Sequence, residues 1–196
     1  MLCIAPSARV SHLADIEDSQ RGSRIVIEDD VVIDAFVKIK PAGGSGDLVI
    51  GRGSVINSGC VLYTGNGIRI GSNVLVAANC TFAPTNHAFA DPDRPIREQG
   101  FQPSRGGICI GDDVWIGANT VLVDGARIGS GSVIGAASLV RGALPEFCLA
   151  FGAPAVVRGW RHPPLSLRGA KRRSKPPPDE QQVPGPEIAS SLRSSQ

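Results

Sequence analysis

Aromatic side chains are scarce in this chain. Six Phe, two Trp and one Tyr amount to 5% of 196 residues, so the core is built from aliphatics and is expected to be thin. Long helix-forming runs are missing too, while 24 glycines are spread along the sequence, a composition that argues against a helical bundle. No stretch comes near the roughly 18 consecutive apolar residues of a membrane-spanning helix. The start, MLCIAPSARVSHL, lacks the basic flank and apolar run of a secretory signal, and the chain is read as soluble and cytoplasmic. Cysteines are few, odd in number and free of any C-x-x-C spacing: Cys3, Cys60, Cys80, Cys109 and Cys148. Neither a disulfide framework nor a zinc knuckle is implied, and buried free thiols are expected.

Enough apolar residues are present, at 42%, to form a core. The net charge of +2 divides unevenly, with 13 Lys+Arg against 15 Asp+Glu in residues 1–160 and 7 against 3 in 161–196. That last segment, rich in Pro, Ser and charge, is expected to be a disordered tail. Its basic cluster Arg168–Lys175 has no interleaved aromatics of the kind that grip nucleic acid, and it reads as a solvated run.

The chain does have a period of six. From Ile110 every sixth residue is aliphatic (Ile110, Ile116, Leu122, Ile128, Ile134, Val140), with Gly at 111, 117, 129 and 135 and mostly small residues at Val114, Thr120, Ala126, Ser132 and Ser138. Neither helical nor strand periodicity alone gives this spacing. A short strand and a tight turn, repeated three times per coil, do, and they make a triangular parallel β-helix of eighteen-residue rungs. The aliphatic points inward, the small residue four places on fits the corner, and the glycine one place on is expected to supply turn dihedrals. The template recurs at Ile27, Ile33 and Ile39, at Ile50, Ile56 and Leu62, and at Ile70, Val76 and Phe82, with a degenerate first rung on Ile4, Val10 and Ile16. After Val140 the rhythm is expected to fail at Leu144-Pro145, leaving PEFCLAFGAPAVVRGW as an end cap. The expected organisation is a degenerate N-terminal coil over 1–24, a β-helix domain over 25–160 with an extruded loop at 88–107, and the tail 161–196.

One interruption is much larger than the others. Between Phe82 and Ile110 the rhythm gives way to a polar, proline-rich loop, and the rhythm resumes in step afterwards. At the loop's start stands His87, the only histidine inside the convincing repeats, where a rigid scaffold presents functional groups. His12 and His162 read as surface residues. With one histidine in the repeats, the three-histidine zinc site of a γ-class carbonic anhydrase is disfavoured and no metal site is assigned.

The run IGSNVLVAANCTFAPTNHAF, then the loop, then IGDDVWIGANTVLVDGARIGSGSVIGAASLVRG resembles the hexapeptide-repeat acyltransferases, especially their galactoside, maltose and polysaccharide O-acetyltransferase branch. The resemblance covers about residues 25–158. It implies an all-β, left-handed parallel β-helix, a homotrimer with sites between subunits, and acetyl-CoA as co-substrate. It carries the catalytic histidine onto His87, as general base toward an acceptor hydroxyl, and an acceptor-contacting asparagine onto Asn57. Cofactor contacts fall on Ala118, Ala136, Arg141 and Gly142, with Arg158 and the outward-facing Trp115 as further candidates. The family's acidic acceptor contact falls on Gly65, a departure that bears on the acceptor and not on the reaction. A sugar hydroxyl in polysaccharide or cell-envelope glycan synthesis is the leading acceptor. The alternatives are the amine of a nucleotide sugar, an antibiotic hydroxyl, or a non-catalytic β-helix scaffold.

Overall fold

A computed structural model of the chain describes residues 1–161; the tail from 162, with its basic cluster and His162, lies outside the described residues. The coils stack into three sheets whose strands run parallel, one sheet per side of a triangular prism. The first face carries Leu2–Ile4, Ile25–Ile27, Leu48–Ile50, Ile68–Ile70, Ile108–Ile110, Arg127–Ile128 and Ala143–Leu144. The second carries Arg9–Val10, Val32–Ile33, Val55–Ile56, Leu75–Val76, Trp115–Ile116, Val133–Ile134 and Cys148–Phe151, closed by the antiparallel strand Val156–Trp160. The third carries Asp15–Ile16, Lys38–Lys40, Val61–Tyr63, Thr81–Ala83, Val121–Val123 and Leu139–Val140. This is a left-handed parallel β-helix.

Register is strict. Ile27 pairs with Ile50, Ile50 with Ile70, Ile70 with Ile110 and Ile110 with Ile128, so each inward aliphatic sits on its predecessor. These residues are almost wholly buried, and each contributes about 1.5–3 kcal/mol relative to exposure. The corner residues four places on are buried as well, and many are small polar groups with a task. Ser54 Oγ donates to Gly71 O at 2.9 Å and accepts from Val74 N at 3.0 Å, and Ser132 Oγ links Pro145 O and Cys148 N in the same way. Small hydroxyls at these corners therefore tie one coil's turn to the next.

Two readings of the repeat need correction. Positive φ falls three places after the aliphatic, at Asp30, Phe36, Gly53, Gly59, Asn73, Asn79, Asp113, Asn119, Gly125, Gly131 and Ala137; the glycines one place after it have ordinary dihedrals. They are glycine because coils touch there. A Cβ on Gly111 would stand 2.6 Å from Ser130 N, and one on Gly117 would stand 2.5 Å from Ala136 N. The break in the period at Leu144 also does not end the stack. A shortened step carries it into a seventh coil, where Leu144 pairs under Ile128 and Ala150 under Ile134 before Val156–Trp160 turns back.

The thiols divide. Cys60, Cys80 and Cys148 are buried corner residues, whereas Cys3 is exposed and Cys109 half-buried. Contact with the Cys80 sulfur, together with burial, pushes the Cys60 thiol up, which keeps it protonated and inert.

Candidate active site

The long loop is a folded projection anchored at both feet. It leaves the third face after Ala83, and its two limbs pair antiparallel: Ala88 N donates to Gly100 O at 3.0 Å and Gln102 N to Asn86 O at 2.8 Å, with His87 opposite Phe101. Further out, Gln99 fastens the tip. Its Nε2 donates to Asp91 O and Arg94 O, both at 2.8 Å, and its Oε1 accepts from Asp91 N at 3.1 Å. Ile96–Gln99 forms the only helix among the described residues, a single turn. The returning foot is held by Asp124, which is 1% exposed and accepts from Arg105 N at 2.7 Å and Gly107 N at 2.9 Å.

His87 is presented by this frame. Its ring lies 4.8 Å from that of Phe101, tilted by 41°, and neither imidazole nitrogen has a hydrogen-bond partner among the described residues. Beside it is a mainly apolar cavity of about 350 Å³, lined by Ala42, Gly43, Tyr63, Ala83, Thr85, His87 and Phe101. No charged side chain lines it. Gly65, where the resemblance calls for an acid, has φ +44° and abuts Thr85: a Cβ there would meet the Thr85 hydroxyl. The threonine thus occupies the room an acidic side chain would need.

The residues carried over by resemblance fall on two separate corners. His87 stands where the third face passes to the first, and Arg141 and Gly142 lie on the same corner two coils on, lining a smaller cavity with Val156. Asn57, Ala118 and Ala136 line the opposite corner, between the second and third faces. A face about six residues wide separates the corners by roughly 15–20 Å. One chain therefore does not bring His87 and Asn57 together. Asn57 is half-buried; its Nδ2 donates to Val76 O at 2.7 Å, and its Oδ1 has no partner among the described residues. Trp115 does face outward, 53% exposed, in an apolar row with Val55, Leu75, Val133 and Leu149 on the second face. Arg158 sits over the Phe151 ring at 5.9 Å, a cation–π contact that already engages its guanidinium.

Sequence reasoning missed Tyr63, Thr85, Phe101 and Asp124. Tyr63 is the chain's single tyrosine, one place past an inward leucine, and that was the available signal. Asp124 carries no such mark, because only the fold shows it buried under the loop.

Comparison with known proteins bears on this geometry. Residues 110–142 match the family model described as bacterial transferase hexapeptide (six repeats). A hexapeptide-repeat acetyltransferase from Vibrio cholerae O1 biovar eltor, solved with acetyl coenzyme A, is 30% identical, and the match covers 67% of this chain and 69% of that one with a TM-score of 0.58. The chain belongs to the hexapeptide-repeat transferase family. Another member, the galactoside O-acetyltransferase of Lactococcus lactis, is 34% identical over 115 residues, covering 59% of this chain and 54% of that enzyme. AntD, an N-acyltransferase from Bacillus cereus solved with dTDP and coenzyme A, is 22% identical with a TM-score of 0.69 over 82% of this chain and 84% of its own, and it shares the fold. The chain spans 34–55% of the length of the curated relatives it matches. Among the described residues no helix is long and apolar enough to cross a membrane.

Proposed function

We propose that this chain transfers an acetyl group from acetyl-CoA to a hydroxyl of a sugar-like acceptor, with His87 as general base. The observation that carries the reading is an imidazole with neither nitrogen partnered among the described residues, held by a stapled loop and lining an uncharged cavity together with Tyr63 and Phe101. Aromatic faces of this kind pack against the C–H faces of a neutral ring, and the absence of charge disfavours an ionic acceptor. In the reaction the acceptor oxygen attacks the thioester carbon while His87 takes its proton. The carbon–sulfur bond then breaks, and the CoA thiolate leaves and is protonated. Such transfer needs no acyl-enzyme, and no serine or cysteine stands within the cavity lining to form one.

The site is completed by a second copy of the chain. His87 and Arg141 of one copy lie across the third face from that copy's own Asn57, Ala118 and Ala136, so a neighbour's opposite corner supplies them. Three copies related by rotation close such a heterologous contact into a ring, with the third-face row Val61, Thr81, Val121 and Leu139 turned toward the axis. The pantetheine arm then runs along the seam past Ala118 and Ala136, with Trp115 flanking it. Release of free CoA thiol from acetyl-CoA across a panel of sugars and nucleotide sugars tests the reading. His87→Ala is expected to lower kcat by about 10²–10⁴. Undiminished turnover would remove His87 as base, and acetyl found on an acceptor amine would assign N-transfer instead.

A further inference from the structure

On the first face, beyond the returning foot of the loop, lies a second cavity of about 330 Å³, whose lining includes Arg24, Asp47, Asn66, Arg69, Cys109 and Arg127. It is separate from the His87 cavity and shares no lining residue with it. Elsewhere on the walls, several positive side chains meet a carboxylate one coil away: Lys38 meets Asp15 at 3.7 Å, Arg52 meets Asp29 at 2.9 Å, and Lys40 meets Glu17. Arg24 follows the same pattern, gripping Asp47 through Nε at 2.9 Å and Nη2 at 2.7 Å.

Arg69 and Arg127 break it. Arg69 stacks between Val49 and Cys109, and Arg127 between Cys109 and Ala143. Neither guanidinium has a partner among the described residues. Their Cα atoms stand two coils apart, about 9–10 Å, on either side of the small Cys109 side chain. Arg127 also lies so close over Gly106 that a Cβ there would stand 2.6 Å from its Nη2, so glycine at the loop's foot leaves that guanidinium its room. With Asp47 neutralised by Arg24, the cavity presents two uncompensated forks with an amide, Asn66, at its rim.

We infer that this cavity binds a small molecule through a phosphate or diphosphate group, clamped between Arg69 and Arg127. Two forks facing one gap suit the tetrahedral oxygens of a phosphoryl group, which accept bidentate donors. A volume near the low end of ligand pockets limits the guest to that group with a small attachment. The proposal does not depend on the acetyl-transfer reading.

Cys109 in the floor reports occupancy. In the full chain, its alkylation by iodoacetamide is followed by mass spectrometry with and without inorganic pyrophosphate, and exposed Cys3 is the internal control. Pyrophosphate is expected to slow labelling of Cys109 saturably, to leave Cys3 unchanged, and to act less at high salt. Arg69→Gln and Arg127→Gln, both on the surface and compatible with folding, are each expected to weaken protection about tenfold or more. Labelling of Cys109 unaffected by millimolar pyrophosphate, or protected equally well in the double variant, overturns the proposal.

Discussion

Replacing Asp124 by alanine tests how the loop is held. The carboxylate is almost fully buried and accepts from Arg105 N at 2.7 Å and from Gly107 N at 2.9 Å. Hydrogen bonds to a charged acceptor contribute about 1.5–3 kcal/mol each. The two losses differ, because the exposed Arg105 amide regains water whereas Gly107 is buried and its N–H is left unsatisfied. Release of a buried charge offsets part of the loss, so the net cost is about 3 kcal/mol. At about 2–4 °C per kcal/mol for a chain of this size, the melting temperature falls by roughly 6–12 °C. Asp124→Asn keeps one acceptor and should lose about half as much. Thermal unfolding by circular dichroism measures the total, and native-state hydrogen exchange at Gly107 locates it. A variant melting within a degree of the wild type, or one with Gly107 exchange unchanged, refutes the assignment of Asp124 as the anchor.

Two further predictions concern the wall. Gly129→Ala places a Cβ against the Glu146 backbone, 2.7 Å from its Cα, whereas Gly142→Ala meets nothing within 4 Å; the first is expected to cost about 1–3 kcal/mol and the second to stay within about 0.5 kcal/mol, compared by denaturant unfolding. The Arg24 backbone N–H and guanidinium hold the Asp47 carboxyl below its ordinary value of 3.8. A depressed folded-state value adds stability above 3.8 that is lost as pH falls through the lower value. Asp47→Asn should therefore be less stable than wild type at neutral pH, and the gap should close in acid unfolding curves below the ordinary aspartate range.

The period of six made most of the fold legible. Inward positions, buried corners and the step at which the loop leaves all followed from aliphatics recurring at Ile110, Ile116 and Leu122. What stayed hidden was the reason behind individual residues. Glycine at 111 and 117 looked like turn chemistry because composition cannot show a neighbouring coil at 2.5–2.6 Å. The seventh coil escaped because a four-residue step from Val140 to Leu144 breaks the period while preserving the pairing. His87 stood out by position, since it is the lone histidine of the repeats at the one long interruption. Tyr63, Thr85 and Phe101 reach its cavity only through the stacking of coils and the pairing of loop limbs, contacts distant in sequence and without a local pattern. Asn57 shows the opposite limit. The residue was nameable, but its separation from His87 by a whole face is a property of the prism, and the proposed sharing of the site between copies rests on it.

The most direct measurement is subunit complementation. His87→Ala and Asn57→Ala chains are each expected to be impaired in acetyl transfer when purified alone. Unfolded together and refolded at equal ratio, they should regain activity, up to about a quarter of wild-type sites, because random assembly pairs an intact His87 with a neighbour's intact Asn57 at that frequency. A mixture no more active than the average of its two components would contradict a site shared between copies.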